Sequence, residues 1–188
     1  MSGHAEYNYS PNNIPKDIKI VNVPVITANK ETLEGYCDIV NDFNNTKVIN
    51  VPWIKLSGRP IDDNTGDQAL PTEGIFEFSY DKHYCLANNH SVPNGDYITG
   101  IINENRDIYT REANYHPCGG QIVYPCNNNS PFIILLSKAG DNIQPTDFVA
   151  FYCDGTFGVQ ILPNVWHQPI FPINNNVKYF NKQCSVHA

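Results

Sequence analysis

The chain has 188 residues, of which 41% are hydrophobic and only 16% charged, and its formal net charge is −7. This length is sufficient for one domain with a buried core. The acidic balance and the lack of a lysine–arginine cluster exclude nucleic acid as an expected partner, because phosphate recognition requires a basic surface. No apolar run approaches the roughly 20 residues that a membrane-spanning helix requires, so no membrane partner is expected.

The first residues lack the charged and apolar segments of a secretory signal peptide, which predicts a cytoplasmic protein. Residues 1–16 are polar and aperiodic and are predicted to form a flexible tail, whereas residues 17–188 are predicted to form a single domain. The six cysteines include no Cys-x-x-Cys pair, which argues against a zinc ribbon or finger. We expect reduced thiols that mostly pack as small hydrophobic side chains.

The N-terminal third contains two strand signals and one helix signal. Residues 18–26 form an apolar run with an internal proline, which is typical of an edge strand. Thr27 is predicted to cap a short helix over residues 29–34, and Gly35 is predicted to end it. Residues 47–56 have strand character around their valines and isoleucine.

The remainder of the chain consists of short apolar runs separated by turn-rich pieces. A long loop over residues 57–72 precedes them, and loops of this length inside a domain are often functional. Strands are predicted over residues 73–80, 84–87, 97–102, 108–115, 131–136, 148–152, 177–180 and 184–187. Short strands with turns at this spacing predict an all-β protein, either a barrel or a sandwich.

Two histidines lie near the ends of residues 115–171. His116 follows the predicted strand over residues 108–115, and His167 comes directly after Trp166. Because inward and outward positions alternate along each strand of a barrel, the two imidazoles can converge on one cavity. Such a pair can serve as metal ligands or as an acid and a base. The alternative for His116 is a histidine whose hydrogen bonds are satisfied at a strand end.

Other polar residues are expected close to His116. Glu112 and Asn114 share its strand face by alternation, and polar groups facing a core need a reason because their burial is costly. Glu112 is then a candidate general base, unless this face is the solvent side of the strand. Gln121 follows a Gly119–Gly120 turn that can fold it back beside His116. Its amide can orient a substrate carboxylate or carbonyl, or it can bond to the backbone as a half-buried glutamine.

Several motifs resemble the ureidoglycolate lyase family, formerly called ureidoglycolate hydrolases. They are Tyr-His-Pro-x-Gly-Gly-Gln at residues 115–121, Pro-x-Asp-Phe-x-Ala-Phe at 145–151, Gly-Val at 158–159 and Asn-Val-Trp-His at 164–167. Residues 58–66, 73–76 and 183–188 are similar to further parts of one branch of that family. The resemblance runs in order through residues 18–188.

The resemblance implies a cupin-like fold, an RmlC-type jelly-roll β-barrel, here with one short N-terminal helix. It also implies a carbon–nitrogen lyase that splits ureidoglycolate, a small carboxylate, into glyoxylate and urea during allantoin and purine catabolism. Family members form homodimers and are associated with a divalent metal, nickel, while zinc, iron and manganese stay open as alternatives. We therefore expect a homodimeric metal-binding enzyme with a small-molecule substrate.

The family match assigns roles to particular residues of this chain. The predicted catalytic residues are His116, His167 and Glu112. The predicted substrate-binding residues are Gln121, Arg59 and Tyr115, with Arg59 able to grip a carboxylate unless it pairs with the neighbouring Asp62. The predicted metal ligands are His116, His167 and His187, because three imidazoles with one open position suit nickel, iron or zinc. His187 has an equally good alternative as a surface histidine.

The chain departs from the family's pattern at four positions. Cys118 stands where relatives tend to carry aspartate, and Leu162 where they often carry histidine. Gln168 stands in place of histidine or glutamate, and Cys184 in place of glycine. These neutral replacements favour a second hypothesis, a catalytically weakened cupin-fold protein that binds a small molecule or has a regulatory role. Another carboxylate-processing enzyme on the same fold is a third, since a fold does not fix a function.

Overall fold

The computed structural model describes residues 17–51, 71–80, 84–88, 96–102, 108–110, 113–184, 186 and 188. Within these ranges the chain forms thirteen strands and one short 3₁₀ helix, so the prediction of an all-β protein is confirmed. The strands are β1 (Val25–Thr27), β2 (Cys37–Val40), β3 (Pro71–Tyr80), β4 (Tyr84–Asn88), β5 (Asp96–Ile102), β6 (Ile108–Tyr109), β7 (Gln121–Pro125), β8 (Phe132–Ser137), β9 (Val149–Cys153), β10 (Gly158–Ile161), β11 (Trp166–His167), β12 (Phe171–Pro172) and β13 (Val177–Cys184). The 3₁₀ helix, η1 (Pro145–Asp147), precedes β9.

The strands form two sheets. The smaller sheet has the order β1-β9-β8-β11, with β12 also paired to β8. The larger sheet has the order β2-β10-β7-β13-β3-β4-β5-β6. Strand β1 runs parallel to β9, and the other described pairings are antiparallel. Strand β13 lies between β7 and β3, so it is a central strand of the larger sheet.

The two sheets pack face to face around an apolar core. Burial alternates along β8, where Phe132, Ile134 and Leu136 are fully buried and the two residues between them are only partly buried. This alternation places every second side chain in the space between the sheets. Tyr179 of β13 meets Phe132 from the other sheet with ring centroids 5.5 Å apart, and its hydroxyl donates to the Ser130 carbonyl oxygen at 2.9 Å. The contact joins the two layers.

The predicted N-terminal helix is not formed: the chain makes successive turns between residues 30 and 36. Asn29, and not Thr27, caps this segment, because its side-chain oxygen accepts the backbone N–H groups of Glu31 and Thr32, both at 2.9 Å. Gly35 ends it as predicted, with φ of 80°. A helix needs several consecutive bonded turns to offset the cost of its first turn, and strand β2 begins too soon for that.

The predicted closed barrel is also not seen among the described strands, where no ladder of hydrogen bonds joins the two sheets. Proline explains part of this arrangement. Pro24 directly precedes the edge strand β1, and Pro172 lies within β12 near the opposite edge of the smaller sheet. A proline has no backbone N–H to donate to a closing strand. The two layers therefore meet through side chains, as in a sandwich.

Other strand predictions differ at their ends. The predicted strand over residues 18–26 is reduced to Val25–Thr27. Of the one predicted over residues 108–115, Ile108–Tyr109 is a strand and Asn114 forms an isolated bridge, while residues 111 and 112 lie outside the described residues. Of the two short strands predicted near the C-terminus, the one over residues 177–180 is the first half of β13, which continues to Cys184. Residue 186 is not in a strand, and residues 185 and 187 lie outside the described residues. No helix in the described part of the chain is long and apolar enough to cross a membrane.

Candidate functional site

The space between the sheets has a polar end. Five buried polar side chains gather there, and none is more than 6% exposed. They are His116, Gln121, His167, Asn181 and Gln183, and we call this group the polar end. Gln121 begins β7, His167 ends β11, and the other two amides lie near the end of β13.

A short backbone ladder positions the two histidines. Asn114 and His167 form an antiparallel bridge in which each backbone N–H donates to the other residue's carbonyl oxygen, at 3.0 and 2.8 Å. Directly bridged residues share a face, and so does the residue two positions further along, which is His116. The imidazole rings of His116 and His167 consequently lie together, with centroids 5.2 Å apart and planes inclined by 35°.

The hydrogen bonds of both rings define their tautomers. Nδ1 of His116 lies 2.9 Å from the Val186 carbonyl oxygen, and Nδ1 of His167 lies 2.8 Å from the Val165 carbonyl oxygen. A carbonyl oxygen can only accept, so each Nδ1 carries a hydrogen and donates it. In the neutral imidazole, Nε2 then holds the lone pair on each ring. Two lone pairs of this kind suit proton transfer or coordination of a cation.

Burial governs the proton affinity of the pair. It is the largest effect on His116 and lowers its pKa, although hydrogen bonds to Val186 and to the Gln121 side chain oppose the shift. Burial also lowers the pKa of His167, to about 3, and the neighbouring His116 adds to the effect. Both imidazoles are therefore mainly neutral at neutral pH.

Close backbone packing places Gln121 beside His116. The Gly120 N–H donates to the Ile49 carbonyl oxygen at 2.8 Å. A Cβ atom on Gly119 would collide with that same oxygen, and one on Gly120 would lie 2.5 Å from the Ile161 oxygen. Only glycine allows this approach at both positions. The turn brings Gln121 to a place where its side chain hydrogen-bonds to the His116 imidazole.

A disulfide joins Cys118 to Cys184, so the expectation of reduced thiols is wrong for these two residues. Their Cα atoms are 5.9 Å apart, within the usual range for this bond. The bond ties the segment after His116 to the end of β13, directly after Gln183. The expectation was based only on the reducing environment of the cytoplasm. It could not take account of the fold, which brings together two cysteines that are 66 positions apart. Cys37 and Cys153 are buried free thiols, as predicted.

Tyr115 lies on the other side of the backbone from the histidine pair. Its ring packs against Trp166 with centroids 4.6 Å apart. Alternation accounts for this: Tyr115 and Trp166 each precede a residue of the histidine pair, and neighbouring residues face opposite ways. The structure does not bring Tyr115 into the polar end. Arg59, Glu112 and His187 lie outside the described residues, and their roles stay predictions.

Two residues of the polar end were missed from the sequence, Asn181 and Gln183. Both are fully or almost fully buried on the inward face of β13, at two-residue intervals from Tyr179. The signal was present, because the alternation that buries Tyr179 continues through both amides. Ending the predicted strand at residue 180 concealed it.

The histidine pair supplies some of the donors that a divalent metal requires. Two Nε2 lone pairs fit nickel, zinc or iron, but such sites usually have three or more protein ligands. Among the described residues, no group of three or more histidine, cysteine, aspartate or glutamate side chains is placed to hold a metal ion. A third ligand would have to come from elsewhere in the chain, and His187 is the predicted one.

Comparisons with known proteins bear on the same stretch. Residues 105–184 match the family model described as ureidoglycolate lyase. Relatives named ureidoglycolate lyase from Salmonella enteritidis, Salmonella newport and Salmonella gallinarum are each 33% identical over 64 residues. These alignments cover 34% of this chain and 39% of each relative, so the chain matches about two fifths of the relatives' length. The predicted resemblance is confirmed over residues 105–184, which contain the whole polar end.

Proposed function

We propose that this protein is a lyase of the ureidoglycolate lyase type that releases glyoxylate and urea from ureidoglycolate. The observation that carries the proposal is the pair of buried imidazoles, His116 and His167, with ring centroids 5.2 Å apart inside the matched residues. Buried neutral imidazoles with bare Nε2 atoms are the groups that proton transfer in an elimination requires. The rest of the described polar end consists of amides that can orient a polar substrate.

The proposed reaction is an elimination across a carbon–nitrogen bond. A base takes the proton of the carbinol hydroxyl, the C–N bond breaks as the aldehyde carbonyl of glyoxylate forms, and an acid protonates the departing urea nitrogen. We assign the base to His167, because burial keeps its Nε2 unprotonated. We assign the acid to His116, whose hydrogen bonds to Val186 and Gln121 favour its protonated form.

Substrate orientation is assigned to Gln121 and Arg59. Both N–H groups of the Gln121 carboxamide already donate to Asn181 and Gln183, so its role towards a substrate is to accept a hydrogen bond from a ureido N–H through a lone pair of its oxygen. The described polar end contains no lysine or arginine, so the counter-charge for the substrate carboxylate is assigned to Arg59, as the sequence predicts. Tyr115 is left out of the proposed site because its ring packs on the far side, against Trp166.

The same lone pairs offer a second use, as ligands of a divalent cation. We propose His116 and His167 as ligands with His187 as the predicted third, and nickel as the cation that the family implies. When bound, such a cation would polarise a substrate oxygen and stabilise developing negative charge. The homodimer and the place in purine catabolism follow from the resemblance, and they belong to the same proposal together with the cytoplasmic location expected from the sequence.

The test is glyoxylate release by the purified protein from ureidoglycolate. The assay is run after treatment with a chelator and again after addition of nickel, manganese or zinc. Turnover in the chelated protein supports acid–base chemistry by the histidine pair alone, and turnover only after addition of a metal supports the ligand role. No release under any condition, from protein that melts cooperatively, would overturn the lyase proposal.

A second candidate is a binding or regulatory protein that uses the same polar end without turnover. Two observations favour it: the buried polar side chains of the described residues include no carboxylate, and Cys118 is consumed in a disulfide where relatives tend to carry aspartate. Calorimetric titration with glyoxylate separates the two candidates. Binding by a protein that releases no product supports this second function, whereas product release excludes it.

A further inference from the structure

We propose that Asn181 and Gln183 are positioning residues that hold the carboxamide of Gln121 against His116. The expected effect on turnover rests on the lyase function proposed above, whereas the expected effect on the His116 ring does not. Neither residue was among the candidates that the sequence suggested. They act through Gln121 and have no contact with reacting atoms in this assignment.

The sheet register places the three amides together. Gln183 of β13 lies directly opposite Gln121 of β7 in the antiparallel ladder. Asn181 lies two positions earlier on the same face of β13. Their exposed fractions are 6% for Gln121, 0% for Asn181 and 2% for Gln183. Polar groups this deeply buried require hydrogen-bond partners.

The three amides are partners of one another. Nε2 of Gln121 donates to Asn181 Oδ1 at 3.0 Å and to Gln183 Oε1 at 3.1 Å. Nδ2 of Asn181 donates to the same Gln183 oxygen at 3.0 Å, which holds the two acceptors side by side. A carboxamide nitrogen has two hydrogens, so both donors of Gln121 are committed.

This arrangement decides which end of Gln121 faces the histidine. With both N–H groups turned towards β13, the side-chain oxygen is the atom left to face His116. Because Nδ1 of that ring donates to Val186, this oxygen accepts a hydrogen bond from the ring when Nε2 is protonated. Rotation of the Gln121 amide alone would point its oxygen at two acceptor oxygens and break both bonds at once. The bonds to Asn181 and Gln183 thus fix the orientation of the Gln121 carboxamide. The His116 ring lies between Gln121 and the Val186 carbonyl oxygen.

A packing role alone does not explain the choice of amides. The preceding inward residue of β13 is Tyr179, which fills its part of the interior with a ring. An apolar residue of suitable size would fill the next two positions equally well. Carboxamides occupy the two inward positions of β13 from which Gln121 can be reached, and Gln121 in turn reaches His116.

The test uses apolar replacements of similar size, Gln183→Met and Asn181→Leu, each made alone. The matched control is Gln160→Met. Gln160 is as buried as Gln121, and within the described part of the chain its side-chain oxygen accepts the Ile49 N–H at 2.7 Å and not a hydrogen bond from the polar end. The ring nitrogen signals of His116 and His167 are recorded by NMR in histidine-labelled protein, and a His116→Asn variant identifies the His116 signals.

We expect Gln183→Met and Asn181→Leu to shift the His116 ring signals and leave His167 nearly unchanged, while Gln160→Met moves neither. In a Gln121→Met background, Gln183→Met should cause no further shift of the His116 signals, because Gln183 acts on His116 only through the Gln121 carboxamide. If wild-type protein turns over ureidoglycolate, kcat should fall roughly tenfold or more with little change in KM.

Three results would overturn the proposal. They are unchanged His116 signals in both folded β13 variants, an equal shift in the Gln160→Met control, or a full further shift from Gln183→Met in the Gln121→Met background. The NMR arm is independent of turnover. Absence of turnover in wild-type protein would therefore count against the lyase function, and the His116 signals would still decide on the positioning role.

Discussion

The two ends of the space between the sheets differ although one strand runs through both. At the apolar end, Tyr179 of β13 packs with Phe78 and Phe132, with ring centroids 5.7 and 5.5 Å apart. Two and four residues later, the same face carries Asn181 and Gln183. Aromatic burial at the first end stabilises the fold, since large apolar side chains contribute most to burial. Amides and imidazoles at the second end cost stability unless paired, and here they are paired.

In the proposed account, the residues that stabilise the fold and the residues that act on a substrate lie at different ends of one interior. If so, damage to the apolar end should lower the free energy of unfolding and leave the chemistry of each folded molecule intact. Damage to the polar end should impair the chemistry, and it should lower the free energy of unfolding only where it leaves a buried partner without its hydrogen bond. The predictions below follow from that division, from the largest expected effect on stability to the smallest.

Phe132→Ala should have the largest effect on stability. The side chain is fully buried and contacts Tyr179 across the two sheets, so its loss leaves a cavity in the core. We expect the free energy of unfolding to fall by roughly 3–5 kcal/mol, as measured by urea denaturation. Phe132→Leu keeps most of the volume and should cost much less. An equal loss in both variants would contradict a cavity as the cause.

Removal of the disulfide should have the next largest effect. Cys118 and Cys184 are 66 residues apart, and the bond restricts the unfolded chain over that loop. Reduction with dithiothreitol should lower the free energy of unfolding by roughly 2–4 kcal/mol. The double variant Cys118→Ala, Cys184→Ala provides the control, because it should show no response to the reductant. Peptide mapping that finds both residues as free thiols in unreduced protein would refute the bond itself.

Acid should destabilise the metal-free protein through the buried histidines. The folded-state pKa of His167 is lowered to about 3, below the value of 6.5 for an ordinary histidine. The unfolded chain therefore binds a proton that the folded protein does not. Above pH 6.5 this histidine does not lower the free energy of unfolding. As the pH falls from 6.5 towards the folded-state pKa, the free energy of unfolding decreases by up to about 1.4 kcal/mol per pH unit.

Urea denaturation at a series of pH values measures this dependence. His116 contributes in the same direction, because burial lowers its pKa as well. In a His167→Asn variant the slope over this range should be smaller than in the wild type. An identical slope in the variant would show that the acid sensitivity arises from other groups.

The sequence predicted the core strands better than the local detail around them. Residues 131–136 were predicted as a strand and β8 spans Phe132–Ser137, because an apolar run between two turn-rich segments has few alternatives. The short helix was wrong, since its capping signals were present but the segment was too short to propagate. The strand predicted over residues 177–180 was too short, because Asn181 and Lys182 interrupt its apolar pattern.

The histidine pair was suggested by strand alternation and by the resemblance, but its partners were not. The carbonyl oxygens of Val165 and Val186 that fix the two tautomers leave no mark in the sequence, since every residue has a carbonyl group. The disulfide was equally hidden. Cys118 and Cys184 are separate departures from the family's pattern, and only the fold shows that they form one bond.

That bond also changes the meaning of two departures that favour a weakened enzyme. Cys118 and Cys184 together replace an aspartate and a glycine, and as a pair they tie the segment after His116 to β13. Their effect on the site is then to restrain it. Leu162 packs against the apolar core, so it too has a structural role here.

The central claim is that the polar end carries out the chemistry, and single-residue variants test it most directly. Glyoxylate release is measured for wild type, His116→Ala and His167→Ala, together with the thermal midpoint of each protein. The account predicts at least about a 100-fold loss of turnover in both histidine variants, in protein that still melts cooperatively. Wild-type turnover in either variant would place the chemistry outside the polar end and contradict the account.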